Sequence, residues 1–237
     1  MQARNYKDSS SVKQILIFLL WTFGITWSAW ILSAVLKGRV PLLPPLLTIV
    51  GTFGPAISAK LVLGKSLKEM LTFIKFARKG SWPYLLIFVG LFTISIVFVT
   101  KPLPNLNLLN VLVLALVTTL LTGGNEEIGW QGFLQPSLEK ILPFPLATVA
   151  TGLIWAVWHL PLFFTAACVL ARFWLAALYK VSQSILYCVL FHGAINTIGE
   201  GIFLGKGTEN PLFFLGYILM AAYSIYLWYQ RDQQDKA

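Results

Sequence analysis

The sequence predicts an all-α protein, a polytopic membrane bundle of about eight transmembrane helices. Of its 237 residues, 57% are hydrophobic and only 11% are charged, and the mean hydropathy is +0.74. Soluble domains carry roughly 25% charged residues, so a water-soluble surface cannot be built from this composition. The apolar residues also fall into runs of about 20, the length that a helix needs to cross a bilayer.

Eight apolar runs, separated by charges and turn residues, are the predicted spans. All should be helical, because lipid offers no partner to an unpaired backbone amide. The runs cover residues 14–36, 42–63, 82–99, 106–134, 146–164, 166–179, 184–204 and 211–229. The sixth is short, and Arg172 interrupts it. We therefore expect an N-terminal tail at 1–13, one transmembrane domain at 14–230 with a core at about 106–204, and a C-terminal tail at 231–237.

The net charge of +9 comes from 18 Lys and Arg residues against nine acids. The cations lie in the gaps between the apolar runs, which argues against a nucleic-acid partner, since that would need them clustered on a soluble face. With eight spans, 13 cations fall on the side of both termini and four on the other. The positive-inside rule then predicts an integral protein of the cell membrane with cytoplasmic termini and lipids as partners. Between Lys65 and Lys79, mixed basic and apolar residues predict an amphipathic helix on the membrane surface.

Ionisable residues within the apolar runs are the candidates for function. Glu126 and Glu127 stand side by side in the fourth run, and both histidines of the chain, His159 and His192, lie in the fifth and seventh. A carboxylate at membrane depth costs on the order of 3 kcal/mol, so a buried pair is by default a functional feature.

The two glutamates lie in a glycine-rich segment, which has two interpretations. Asn125 is a possible N-cap that would place both carboxylates in the first turn of a helix, where the helix dipole favours anions. In a continuous helix, Glu127 and Gln131 would instead share one face, with Glu126 about 100° away.

Each histidine also has two interpretations. His159 follows Trp155 by one helical turn, so the indole would wall one side of a site; the alternative is a core histidine bonded to a backbone carbonyl. His192 and Asn196 project from one helical face at i and i+4. They form either part of a site or a polar pair that ties two helices together.

Together, these residues suit hydrolysis. Three converging helices can place two imidazoles, a carboxylate and an amide around one water molecule. A carboxylate beside a like charge in a low dielectric can act as a general base near neutral pH. Histidine and asparagine can bind a metal ion or donate hydrogen bonds to an oxyanion. The zinc-helix, serine-hydrolase and phosphate-loop motifs are absent from the sequence.

The same residues resemble the motifs of the CPBP intramembrane protease family, also called Abi or type II CAAX prenyl endopeptidase-like. That family has Glu-Glu-x-x-x-Arg, aromatic-x-x-x-His and His-x-x-x-Asn motifs in this order on a helical membrane core. Here they stand at residues 126–131, 155–159 and 192–196. The resemblance extends over about residues 55–196.

The resemblance implies an intramembrane endopeptidase, a metalloprotease by family convention, that cleaves membrane-embedded or prenylated substrates. It implies that Glu126 activates water with help from Glu127, and that His159 positions the water or a metal. His192 and Asn196 would stabilise the oxyanion, and Gln131 and Trp155 would contact substrate. If zinc is bound, its implied ligands are Glu126, His159 and His192; otherwise glutamate alone is the base.

The sequence departs from the family pattern in two places. Gln131 replaces the motif arginine, so a charge pair with the glutamates is lost, and the stretch from His159 to His192 is short. Both departures leave open a non-catalytic relative, such as a bacteriocin-immunity or scaffold protein. A proton-coupled transporter that uses the same acids and histidines is a third reading, although no internal repeat supports it.

Overall fold

A computed structural model describes residues 2–97, 100, 102, 107–162, 167–202 and 211–236, and these are mostly helical, with no strand among them. The first helices are α1 (Gln2–Leu36), α2 (Leu43–Thr52), α3 (Gly54–Leu63), α4 (Leu67–Lys75), α5 (Trp82–Val97) and α6 (Leu108–Leu120). The remaining helices are α7 (Glu127–Gly129), α8 (Gln135–Leu138), α9 (Phe144–Trp158), α10 (Ala167–Ser182), α11 (Ile185–Asn196) and α12 (Pro211–Lys236). Most of each predicted apolar run is helical where it is described, but non-helical residues interrupt the runs at 53, 121–123 and 159–162. The predicted ends at residues 99, 106, 164, 166 and 204 lie outside the described residues.

The predicted count of eight spans is not confirmed. Within the described ranges, two helical stretches are long and apolar enough to cross a membrane, Val12–Leu36 and Leu108–Leu138. A third results if α2 and α3, bent by 40° at Phe53, form one span. Helices α5, α9 and α11 are apolar but shorter, with 16, 15 and 12 residues. At 1.5 Å per residue, 16 residues extend about 24 Å, less than the bilayer core of about 30 Å.

Two predicted boundaries differ in the structure. Helix α1 begins at Gln2, so residues assigned to an N-terminal tail continue the first helix. The amphipathic segment at 65–79 forms α4 only over Leu67–Lys75. A capping box starts this helix: the Ser66 hydroxyl accepts from the Glu69 amide, and the Glu69 carboxylate accepts from the Ser66 amide.

Close contacts at small residues bring the central helices together. Gly193 of α11 packs on Thr119 of α6, where a Cβ atom would collide with the threonine. The Thr118 hydroxyl donates to the Gly193 carbonyl at 3.1 Å. Gly129 packs on the backbone of Pro55 in α3. Bulkier residues at these glycines would separate helices that carry the candidate residues.

Gln135 in α8 ties this region to α9. Its amide donates to Thr148 at 3.1 Å and to Glu139 at 2.9 Å, while its carbonyl accepts from Thr151 at 2.8 Å. Gln135 is fully buried, and a buried amide stabilises a structure only when its groups are paired. This network fixes α9, which carries Trp155 and leads to His159.

Candidate active site

Five of the seven predicted site residues meet in one cavity. It has a volume of about 370 Å³. The predicted residues in its wall are Glu126, Trp155, His159, His192 and Asn196. Further wall residues include Trp30, Thr52, Cys168 and Tyr217. The cavity therefore joins side chains of α1, α2, α9, α10, α11 and α12 to the segment that follows α6.

The segment that carries the glutamates is not a regular helix. After α6, residues Gly124–Glu126 form a 3-10 turn, α7 has one turn, and Trp130–Leu134 form a π-helix. Asn125 does not serve as the N-cap: its carbonyl accepts from the Gly123 amide at 3.1 Å and its amide donates to Thr52 at 3.1 Å. π-Helical turns are rare and frequently mark functional sites.

Glu126 is the glutamate that faces the cavity. One of its oxygens, Oε2, accepts from Trp155 Nε1 at 2.9 Å. The carboxylate is only 3% exposed, so this bond fixes its orientation in a site of low dielectric. Trp155 thus orients the candidate base.

Glu127 points away from the cavity and is held by a cation that the sequence motifs do not include. Arg172 Nη1 and Nη2 donate to its two oxygens at 2.9 and 2.6 Å, and both side chains are completely buried. The Arg172 guanidinium also stacks on the Trp155 ring at 4.0 Å. The expected loss of charge pairing at the glutamates is therefore wrong, because α10 supplies an arginine. In the sequence, Arg172 is recognisable only as a cation inside an apolar run.

Both histidines are oriented through Nδ1. His192 Nδ1 lies 2.7 Å from Glu127 Oε1. Because a carboxylate paired with arginine can only accept, Nδ1 is the donor. His159 Nδ1 lies 2.9 Å from the Trp155 carbonyl, which also only accepts. The other nitrogen of each ring is Nε2. In a neutral His159 ring with its proton on Nδ1, Nε2 can only accept a hydrogen bond.

Gly123 brings the Asn196 amide close to His192. A Cβ atom on Gly123 would collide with Asn196 Nδ2 and lie 3.4 Å from His192 Nε2. Asn196 Nδ2 and His192 Nε2 therefore both lie next to the space that a side chain at Gly123 would fill. That arrangement is typical of donors that converge on an oxyanion.

Gln131 lies apart from the cavity. It is fully buried, and neither atom of its amide has a hydrogen-bond partner among the described residues. Its predicted role as a substrate contact gains no geometric support, because it does not line the cavity wall.

Zinc stays a prediction without a ligand cluster. Among the described residues, no group of three or more His, Cys, Asp and Glu side chains is arranged to hold a metal ion. The expected ligands Glu126, His159 and His192 share the cavity, and the Nδ1 bonds of the two histidines are of the kind that orient metal-binding imidazoles.

Residues 108–198, which are 91 of the 237, match the family model described as type II CAAX prenyl endopeptidase Rce1-like. This segment of the chain is similar to that family. The resemblance found in the three motifs is thereby confirmed. No curated protein matches the chain.

The Rce1-like segment includes all three motifs and also Arg172. The family that the model describes is one of CAAX-type proteases. Together with the apolar helices, the match indicates an integral membrane protein.

Proposed function

We propose that the protein is an intramembrane endopeptidase that hydrolyses peptide bonds of membrane-embedded or prenylated substrates with a water molecule activated by Glu126. The observation that carries this proposal is the presence of one oriented carboxylate, two histidines and an amide in a single cavity wall. The family match supports the reaction type.

Two acceptors bind the attacking water in this mechanism. Glu126 Oε1 accepts one hydrogen bond from the water, because Oε2 already accepts from Trp155 Nε1. His159 Nε2 accepts the other, because the Nδ1–H of this ring donates to the Trp155 carbonyl. The water oxygen attacks the carbonyl carbon as its proton passes to Glu126, which later gives that proton to the leaving amine.

Two donors stabilise the oxyanion that forms on the carbonyl oxygen. Asn196 Nδ2 supplies one hydrogen bond. His192 Nε2 supplies the other from an imidazolium ring whose Nδ1 donates to Glu127 at 2.7 Å. With the imidazolium, the charges of Glu126, Glu127, Arg172 and His192 sum to zero, which suits a buried site. Glu127 and Arg172 act as positioning residues in this scheme.

The non-catalytic alternative loses one of its two reasons. It drew on Gln131 in place of the motif arginine, whereas Arg172 pairs with Glu127 from another helix. The short stretch from His159 to His192 remains a departure from the family. No observation on the described residues specifically favours the transporter reading.

The decisive experiment replaces Glu126 with glutamine. Purified protein in liposomes is given a farnesylated CAAX peptide, and fragments are measured by mass spectrometry. We expect Glu126→Gln to lower kcat by about 10² to 10⁴, the usual contribution of a general base. Glu69→Gln, the same exchange in the exposed capping box, should leave kcat unchanged, because glutamine also supports a capping box.

Three outcomes would contradict the proposal. Full activity in Glu126→Gln would exclude the carboxylate as the base. Folded wild-type protein that cleaves neither lipidated nor unlipidated transmembrane peptides would favour the non-catalytic relative. Treatment with a strong zinc chelator should leave cleavage intact, whereas loss of cleavage that added zinc restores would replace the glutamate-only mechanism.

A further inference from the structure

A second cleft, remote in sequence from the catalytic motifs, gathers basic side chains from distant parts of the chain. It has a volume of about 170 Å³. Arg78 and Lys79 of the α4–α5 loop form one side, and Arg231 near the end of α12 forms the other. Tyr84 and Gln230 add polar groups to the wall. Arg231 is more than 150 residues from Arg78 and Lys79 in the chain, so the tertiary structure alone brings the three cations together.

The loop that carries two of the cations is fixed by its backbone. The Arg78 amide donates to the Ser182 carbonyl at 2.7 Å. The Ser81 hydroxyl and amide both donate to the Arg78 carbonyl, at 2.6 and 3.1 Å. Gly80 adopts a positive φ of 76° that closes the turn. The cleft is therefore preorganised.

The charge of the loop is not neutralised within the protein. Among the described residues, neither Arg78 nor Lys79 forms an ion pair. Arg231 Nη1 donates to Gln234 Oε1 at 3.0 Å, a neutral group that also lines the cleft. Arg78 and Lys79 thus leave positive charge at the cleft for a ligand.

Exposed aromatic residues lie on the two helices that adjoin the cleft, α5 and α12. Trp82 follows the loop directly and is 57% exposed, while Tyr226 and Tyr229 of α12 are 55% and 53% exposed. Tryptophan and tyrosine are enriched at the membrane–water interface, where one part of the ring is apolar and the other polar. A site for a free anion in solution would not need aromatic residues of this kind beside it.

We propose that this cleft binds the phosphate of an anionic phospholipid headgroup. Arg78, Lys79 and Arg231 would neutralise the phosphate, and the Tyr84 hydroxyl would donate to it. The acyl chains would lie along α5 and α12 beside the aromatic residues. Basic pockets between membrane helices are known to hold such headgroups.

The test compares soluble short-chain lipids as probes. Binding of dioctanoyl phosphatidylglycerol, dioctanoyl phosphatidylcholine and inorganic phosphate to the full chain in neutral detergent is measured by native mass spectrometry. We expect phosphatidylglycerol to bind tightest. The triple variant Arg78→Gln/Lys79→Gln/Arg231→Gln should lose at least about tenfold in affinity for it, given the attraction of each basic residue to anionic lipid.

A matched variant separates a specific site from general attraction. Lys65→Gln/Lys68→Gln/Lys75→Gln also removes three cations, from in and beside α4, and should keep the wild-type affinity. Equal losses in both triple variants, each still folded by thermal unfolding, would overturn the proposal. Inorganic phosphate that binds as tightly as phosphatidylglycerol would also overturn it, because the ligand would then be a free anion.

Discussion

Arg172 and Glu127 form a bidentate ion pair in the interior, with N–O distances of 2.9 and 2.6 Å and no exposure of either side chain. Planar guanidinium and carboxylate groups match each other in this geometry. The pair joins α10 to the irregular segment after α6, and it fixes Glu127 so that Glu127 can orient His192.

Removal of this arginine should disrupt both folding and catalysis. We expect Arg172→Gln to lower the free energy of unfolding by about 3 to 5 kcal/mol, because it leaves a buried carboxylate without its cation. Arg172→Lys keeps the charge but loses one of the two bonds, so its melting temperature and kcat should lie between those of wild type and Arg172→Gln. Thermal unfolding in detergent and cleavage rates measure both effects.

Lys180 offers the control on the same helix. Its contact with Glu139 is 3.9 Å long, and both side chains are partly exposed. Lys180→Gln should therefore change the free energy of unfolding by less than about 1 kcal/mol. If Arg172→Gln were as mild as Lys180→Gln, the buried pair would have no special role.

The Trp155 indole N–H should matter through Glu126. Trp155→Phe keeps an aromatic face for Arg172 but removes the donor to Glu126 Oε2, so we expect kcat to fall about tenfold, from the loss of a hydrogen bond to a charged group. Trp158→Phe is matched in helix and burial, and its Nε1 has no hydrogen-bond partner among the described residues. Steady-state kinetics should show a change in kcat for the first variant only; equal effects would point to packing instead.

Gly123 should tolerate no side chain. An added methyl group would collide with Asn196 Nδ2 and crowd His192 Nε2, so Gly123→Ala should displace both proposed oxyanion donors and reduce kcat by about 10². Gly90→Ala in α5 is the control, because nothing lies within 4 Å of its added methyl. Wild-type kcat in Gly123→Ala would remove Asn196 from the proposed mechanism.

Acid should weaken the start of α4. The Ser66 hydroxyl donates to the Glu69 carboxylate at 2.7 Å and the Ser66 amide at 2.8 Å, and these bonds hold the pKa of Glu69 below its usual range. A carboxyl group with a lowered folded-state pKa stabilises the folded state above its unfolded-state pKa, about 4.3 for glutamate. That contribution disappears as the pH falls through the folded-state value.

Hydrogen exchange measures this directly. After correction for intrinsic exchange rates, protection of the first α4 amides should drop below about pH 4 in the wild type. Glu69→Gln should show the same protection at all pH values, because the amide does not titrate. A wild-type profile without a pH dependence would show that the capping box does not hold α4.

The catalytic motifs show how far sequence could reach. Glu126, His159, His192 and Asn196 were identifiable because ionisable groups are rare in an apolar chain and recur in a known order. Composition and spacing did not distinguish the two glutamates; only the resemblance named Glu126 as the base, and Glu126 is the one of the two that lines the cavity. Neighbours in a helix differ by about 100° in direction, and the 3-10 and π turns around them change that angle further. Arg172 was visible as an anomaly, but its partner is 45 residues away.

What the sequence determined is the local part of the structure. Hydropathy predicts which runs are apolar helices. Because charged residues are scarce, the few ionisable residues inside these runs, which are costly to place in lipid, are easy to identify. The tertiary structure decided which carboxylate faces the cavity and that Arg172 of α10 pairs with Glu127. It also decided that Gln131 lies outside the site and that several helices are too short to span a bilayer singly. These facts depend on helix rotation, helix breaks and contacts between distant residues, and local composition encodes none of them.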